Sequence, residues 1–139
     1  MNNPVTAVPQ ERETLLPFPV GYHRFHKSQV YNYQLNRFYS LGFFKFEDIA
    51  HIGERISTFA DWRTEMVKLA EKAQAENRLL NAAFYYRAAE FYTLNKDHPG
   101  KEFYYDRFID LFYQAVAGEP FERLSAPYAS GYLPILRIA

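Results

Sequence analysis

The chain has 139 residues and no cysteine, and its 16 basic residues balance its 16 acidic ones. The missing cysteine excludes disulfides, thiolate nucleophiles and zinc–thiolate sites, and the balanced charge removes any electrostatic pull toward nucleic acid or an anionic membrane surface. Hydrophobic residues make up 48% of the chain, enough for a packed core. No run approaches the roughly 20 apolar residues of a membrane span. The opening MNNPVTAVPQERE lacks the basic-then-apolar layout of a secretory leader. A cytoplasmic protein with neither nucleic-acid nor membrane partners is the expectation.

Residues 1–29 read as an extended arm. Pro4, Pro9, Pro17 and Pro19 interrupt any helical period, and Leu15, Leu16, Phe18 and Val20 offer an apolar strip for lying along a surface. His23 and His26 have H-x-x-H spacing, which would put two imidazoles on one helical face. No neighbouring carboxylate completes a ligand set and Arg24 and Lys27 flank the pair, so no metal is expected there.

Residues 30–118 read as one helical domain of about five helices, built from 12 Tyr and 13 Phe among other apolar residues. The first helix spans about Val30–Leu41, with Gly42 as its C-terminal cap. The second spans about Phe46–Ser57, with Glu47 and Asp48 where the helix dipole favours negative charge. The third spans about Phe59–Glu76. Thr58 and Asp61 form a relative of the capping box at its start. Trp62, Met66, Leu69, Ala70 and Ala73 make its apolar stripe, while Glu65, Lys68, Glu71 and Lys72 should face solvent.

The fourth helix, about Leu79–Leu94, is apolar almost all round and should be the most buried. Its alanines 82, 83, 88 and 89 allow close helix packing. The fifth, about Pro99–Ala117, opens on proline and should bury Tyr104, Tyr105, Phe108, Ile109, Phe112, Ala115 and Val116. Leu69, Ala70, Ala82, Tyr86 and Ala89 fall at the offsets of one tetratricopeptide hairpin. A shift of about 34 residues does not bring the small positions round again, so no array is expected.

Residues 119–139, EPFERLSAPYASGYLPILRIA, change character to short apolar runs broken by Pro120, Pro127, Gly131 and Pro134. That pattern predicts a strand, a turn at Ser130 and a second strand. Two short strands do not stand alone as a sheet in water, so the chain is expected to stop where a β-rich or α/β domain begins.

Four segments, in order, carry a family resemblance. They are NYQLNRFYSLG at 32–42, DWRTEMVKLAEKAQAENRLLNAAFYYRAAEFY at 61–92, KEFYYDRFIDLFYQA at 101–115 and APYASGYLPILRIA at 126–139. Together they resemble the N-terminal helical cap region of α/β-hydrolases of the FrsA-like and acyl-peptidase/esterase type. Within them, Ala83, Tyr86, Arg87, Ala88, Ala89 and Tyr92 match an A-x-x-Y-x-R-A-A-x-x-Y helix, with the arginine shifted. Pro127, Tyr128, Gly131, Leu133 and Pro134 match the P-Y-x-x-G-x-L-P segment that opens the catalytic sheet.

The resemblance implies a mainly α module joined to a catalytic α/β-hydrolase domain. The complete protein would hydrolyse an ester, amide or carbon–carbon bond of a small-molecule substrate, without metal or organic cofactor. The G-x-S-x-G elbow of that family is absent here, and Ser28, Ser40, Ser57, Ser125 and Ser130 lack its glycine context. No catalytic residue is assigned, because a triad needs nucleophile, base and orienter within hydrogen-bond reach.

Three residues are candidates for substrate binding. Tyr33 and Arg37 lie four apart on one helix face, where Arg37 could orient an anionic or carbonyl group or instead pair with Glu47 or Asp48. Trp62 is the only tryptophan, and is either a pocket wall or a core anchor. The rival expectation is a standalone helical interaction module binding a partner protein or its own copy. A small-ligand-binding bundle ranks below it, and the unpaired hairpin makes a homo-oligomer an expectation too.

Overall fold

A computed structural model of the chain describes residues 21–138. The apolar strip Leu15, Leu16, Phe18 and Val20 lies outside the described residues. The fold is mainly helical, with helices α1 (Gln29–Ser40), α2 (Phe46–Ile49), α3 (Phe59–Ala75), α4 (Leu79–Phe91) and α5 (Pro99–Ala115), then strands β1 (Phe121–Tyr128) and β2 (Gly131–Ile138). A 3₁₀ turn covers Ile52–Arg55. Two compact units divide the chain, Met1–Glu54 and Arg55–Ala139.

In the first unit α1 ends as its sequence dictates. Gly42 takes φ 79°, and the N–H groups of Gly42 and Phe43 return to the carbonyls of Tyr39 and Phe38 at 2.9 and 3.0 Å. This is the reciprocal pair of bonds that a left-handed residue makes after a helix. The expected long second helix is replaced by the single turn of α2 and the 3₁₀ turn. Gly53 shows what the interruption serves, since a Cβ there would overlap the Phe25 carbonyl oxygen. The backbone can approach that segment only where a side chain is missing. Phe25, Tyr31, Leu35, Phe38, Phe44, Ile49 and Ile52 form this unit's core.

The second unit is a row of three helices in which α4 packs against α3 and against α5. The Thr58 hydroxyl accepts from the Asp61 N–H at 3.1 Å, and the Asp61 carboxylate accepts from the Ser57 and Thr58 N–H groups at 3.0 Å, a complete capping box. Asn77, at φ 57°, closes the other end of α3. Its N–H reaches Gln74 at 3.0 Å, and the Arg78 N–H reaches Ala73 at 2.8 Å. Trp62, Met66, Leu69, Ala70 and Ala73 are all buried, as their spacing predicts.

Facing them, Ala82, Ala83, Ala88 and Ala89 of α4 are fully enclosed. At the C-terminus of α4, the Lys101 ammonium from α5 donates to the Thr93 carbonyl at 3.0 Å and pairs with Glu90 at 2.6 Å. A cation thus sits where the helix dipole is negative.

Two expectations about faces are corrected. Glu65 is buried rather than solvent-facing, because Arg55 at 3.0 Å and Lys68 at 3.1 Å close over its carboxylate. On α5, Tyr105 is exposed, and Tyr104, Phe108, Ile109, Phe112 and Ala115 are only half-buried. Leu111 is the buried residue of that helix, with Val116 buried just after it. The outermost helix of a row has a neighbour on one side, so its ring stripe is covered only halfway. Tyr86 and Ala89 of α4, in the middle, are buried as expected.

The strands pair antiparallel from Phe121↔Ile138 to Tyr128↔Gly131, with Ala129 and Ser130 in the turn and Ala129 at φ 49°. Cross-strand partners share a face. Phe121, Arg123, Leu136 and Ile138 therefore lie on one face, which turns toward α5. There Arg123 stacks over the Tyr113 ring at 3.6 Å, and Phe121 meets the same ring at 6.1 Å between centroids. The opposite face carries Leu124, Ala126, Tyr128, Leu133 and Ile135, ended by a Glu122–Arg137 ion pair. Leu124, Tyr128, Leu133 and Ile135 are exposed.

Leu111→Ala should cost about 2–5 kcal/mol, the range for emptying a buried aliphatic site, and Phe112→Ala roughly half the 3–5 kcal/mol of a fully buried ring. Urea melts of the two variants test the half-covered face of α5, and a loss for Phe112→Ala as large as that of a fully buried ring would place it in the core.

The Asp61 carboxyl is held below its ordinary value of 3.8, first by the Ser57 N–H and then by the Thr58 hydroxyl and N–H. For Glu65, burial pushes upward, but its bonds to Arg55 and Lys68 together outweigh it and hold the carboxyl below 4.5. A depressed carboxyl binds fewer protons folded than unfolded. Its stabilisation is therefore present above the ordinary carboxylate range and lost as pH falls through the folded value. Stability should decline below about pH 5, and the double variant Asp61→Asn, Glu65→Gln should flatten that decline in acid titrations of urea midpoints.

Candidate functional site

Two concave surfaces stand out, one in each unit. The first is a shallow pocket of about 250 Å³ lined by Gly21, Tyr22, Tyr33, Asn36, Arg37 and Ser40. Helix α1 supplies Tyr33 and Arg37 one turn apart, so the structure brings these two sequence candidates together. Arg37 forms no ion pair with Glu47 or Asp48 among the described residues. Its guanidinium lies 3.5 Å from the Gln34 side-chain oxygen and 5.7 Å from the Phe38 ring centroid. Tyr33 is 54% exposed, so its ring forms an open wall.

Beneath this pocket runs a polar seam absent from the sequence reading. The Asn32 side-chain oxygen accepts from the N–H groups of Phe25 and His26 at 2.8 and 3.1 Å, and its amide donates to the Tyr22 hydroxyl at 3.1 Å. Asn36 accepts from the His23 N–H at 2.7 Å and donates to the His23 and Asn32 carbonyls at 2.8 and 2.9 Å. Two buried asparagines, four residues apart, thus give an irregular segment the backbone partners that a strand would otherwise supply. Their N-x-x-x-N spacing next to a stretch without periodicity was the available signal. His26 Nδ1 accepts from the Ser28 N–H at 2.8 Å, and His23 packs among Phe25, Tyr39 and Phe46. Both histidines of the H-x-x-H pair have structural contacts of their own.

Trp62, the third sequence candidate, belongs to the other unit. It is fully buried, its indole N–H donates to the Ala88 carbonyl at 2.8 Å, and its ring meets Tyr92 edge-on at 5.1 Å. Those contacts anchor α3 to α4.

The second concave surface is an apolar groove of about 310 Å³ between the end of α5 and the hairpin, lined by Phe112, Val116, Glu119, Pro120, Phe121, Leu136 and Ile138. Its single carboxylate, Glu119, marks one side. Groove and first pocket alike offer binding chemistry: ring walls, one guanidinium, one carboxylate. Among the described residues no group of three His, Cys, Asp or Glu side chains is arranged to hold a metal ion. No helix among them is long and apolar enough to cross a membrane.

Comparison of the chain with protein-family models, with curated proteins and with solved structures found no match.

Asn36→Ala removes partners from the half-buried His23 backbone and from the buried Asn32 carbonyl, and should cost about 1–3 kcal/mol. Arg37→Ala, at an exposed position, should stay within about 0.5 kcal/mol of the parent. Thermal or urea melts separate the two, and an equal loss would show that Arg37 is a structural fastener.

Proposed function

We propose that the chain is the helical cap module of a serine α/β-hydrolase, shaping the pocket for an ester, amide or carbon–carbon substrate while the nucleophile resides in a separate catalytic domain. One observation supports this most. The row of helices leads directly into a two-stranded hairpin whose outer face carries Leu124, Tyr128, Leu133 and Ile135 exposed. A sheet of two strands is marginal in water and calls for further strands or a covering layer. The order of elements, helices first and hairpin second, is the order the family resemblance implies. In this reading Tyr33 and Arg37 form part of the wall presented to substrate. A cap of this kind excludes water and positions the reacting group without itself moving a proton.

The alternative is a standalone interaction module. It draws on the exposed rings of α5, where Phe103 is 55% and Tyr105 46% accessible, because exposed aromatic side chains suit a protein partner.

The messenger RNA separates the two. Codons beyond the one for Ala139 that encode an H-G-G loop and then a G-x-S-x-G elbow are the expected result. A stop codon there, with no such frame downstream, would favour the interaction module. Purified chain should leave p-nitrophenyl acetate at the buffer rate, and robust turnover would overturn the assignment of the nucleophile elsewhere.

A further inference from the structure

The two prolines of the hairpin decide which of its edges is receptive. Pro127 pairs with Tyr132 and Pro134 with Ser125, two steps apart in the ladder. In an antiparallel ladder, hydrogen-bonded pairs alternate with pairs whose N–H and C=O groups point away from each other. A hydrogen-bonded pair needs an N–H from both members, so both proline pairs are of the second kind. Phe121, at the same parity, agrees: its N–H turns out of the ladder to the Glu119 carbonyl at 2.9 Å. The outward-facing positions are therefore Phe121, Arg123, Ser125 and Pro127 on β1, and Tyr132, Pro134, Leu136 and Ile138 on β2. Each edge has lost one donor to proline, a common way of blunting a strand edge.

What remains differs between the edges. On β1 the open pair is Arg123 and Ser125, and the Arg123 side chain is already committed to the Tyr113 ring. On β2 the open pair is Leu136 and Ile138, whose side chains line the apolar groove against Phe112 and Val116. A strand laid there gains main-chain bonds and a pocket for its alternate side chains, the two components of strand addition.

Charge selects the occupant. Arg137 lies between the two open positions on the opposite face, beside Glu122. Two copies joined through β2 in a register centred on Arg137 would set both guanidinium groups directly opposite, which is destabilising. Every register nearer the turn brings Pro134 into the new ladder and forfeits a bond.

We infer that β2 accepts an extended segment of a different sequence at Leu136–Ile138, with an apolar–acidic–apolar pattern. Its carboxylate lies opposite Arg137 and its apolar side chains enter the groove. This rests on the reading that the hairpin belongs to a larger sheet, and adds which edge continues it, over what length and with what chemistry.

The test uses the full 139-residue chain, labelled with nitrogen-15, and the probe peptide acetyl-Thr-Val-Glu-Val-Thr-amide. Millimolar peptide should shift the Leu136 and Ile138 amides and slow their exchange. The lysine version, acetyl-Thr-Val-Lys-Val-Thr-amide, should bind about threefold or more weakly. Leu136→Pro removes an outward donor at a position where the ladder loses nothing, and should abolish binding. The charge swap Glu122→Arg, Arg137→Glu keeps the cross-strand pair and should reverse the preference between peptides.

Protection of Arg123 and Ser125 instead would overturn the choice of edge while leaving the larger-sheet reading intact. Protection of Leu136 that rises with protein concentration and needs no peptide would overturn it in favour of a second copy. A full titration with no shift at either edge would overturn it as well. The messenger RNA decides the hydrolase reading independently.

Discussion

The bond from the Trp62 indole N–H to the Ala88 carbonyl sets the geometry of the second unit. Ala88 stands in the last turn of α4, where carbonyls run short of partners from their own helix and the Tyr92 N–H returns to Glu90, and an outside donor reaches such a carbonyl only where no side chain stands in the way. Alanines at 82, 83, 88 and 89 clear that approach, so the largest residue of α3 lies against the smallest residues of α4. The 2.8 Å bond then fixes one register among several that size complementarity alone would allow. Burial without it would strand a polar N–H in the core, at a cost of about 1–3 kcal/mol. With α4 held on one side, α5 docks on the other, and Lys101 reaches back to the carbonyl end of α4. Arg107 extends across to Gln74 of α3 at 2.7 Å and lies over the Tyr86 ring, tying the outer helices to each other around the middle one.

The first unit solves a different problem. Its segment before α1 has no regular structure, yet Phe25 and His26 are buried. Buried backbone groups need partners, and Asn32 and Asn36 supply them from the face of α1. The same helix face thus does structural work on one side while Tyr33 and Arg37 remain open on the other. This separation is what leaves those two side chains exposed.

Legibility in the sequence follows from how local each determinant is. Gly42, Thr58 with Asp61, and Pro99 act within one turn of their own position, so the helix ends they dictate could be read directly. The stripe of α3 and the all-apolar α4 were legible because their faces meet neighbours along their whole length. The stripe of α5 was not: periodicity shows that a face is apolar but not how much of it a neighbour covers. Glu65 escaped for a related reason, since an acidic residue on a helix reads as solvated until Arg55, ten positions away in sequence, folds over it. Trp62 and Arg37 each allow two readings from sequence because a distant partner cannot be read locally: Trp62 has the Ala88 carbonyl, and among the described residues Arg37 forms no ion pair with Glu47 or Asp48. Asn32 and Asn36 are not legible in the sequence, because asparagine in a helix carries no strong local signal and their partners precede the helix in a stretch without pattern.

The hairpin combines an apolar outer face, which favours association, with edges that each lack a donor, which resists it. Exposed leucine, isoleucine and tyrosine on an open two-stranded sheet would ordinarily invite indiscriminate pairing between copies. Pro127 and Pro134 sit where they cost the hairpin none of its own bonds, because both occupy pairs that make no ladder hydrogen bonds. Arg137 then penalises the one register of self-pairing through β2 that the prolines leave whole. Under the strand-addition proposal such selectivity has a use, since attraction alone does not discriminate and repulsion must exclude the alternatives. The hairpin's ties to its own unit are modest, chiefly Arg123 and Phe121 on Tyr113. A partner strand on β2 would therefore stabilise both the docked interface and the hairpin that makes it, coupling recognition to local order by mass action.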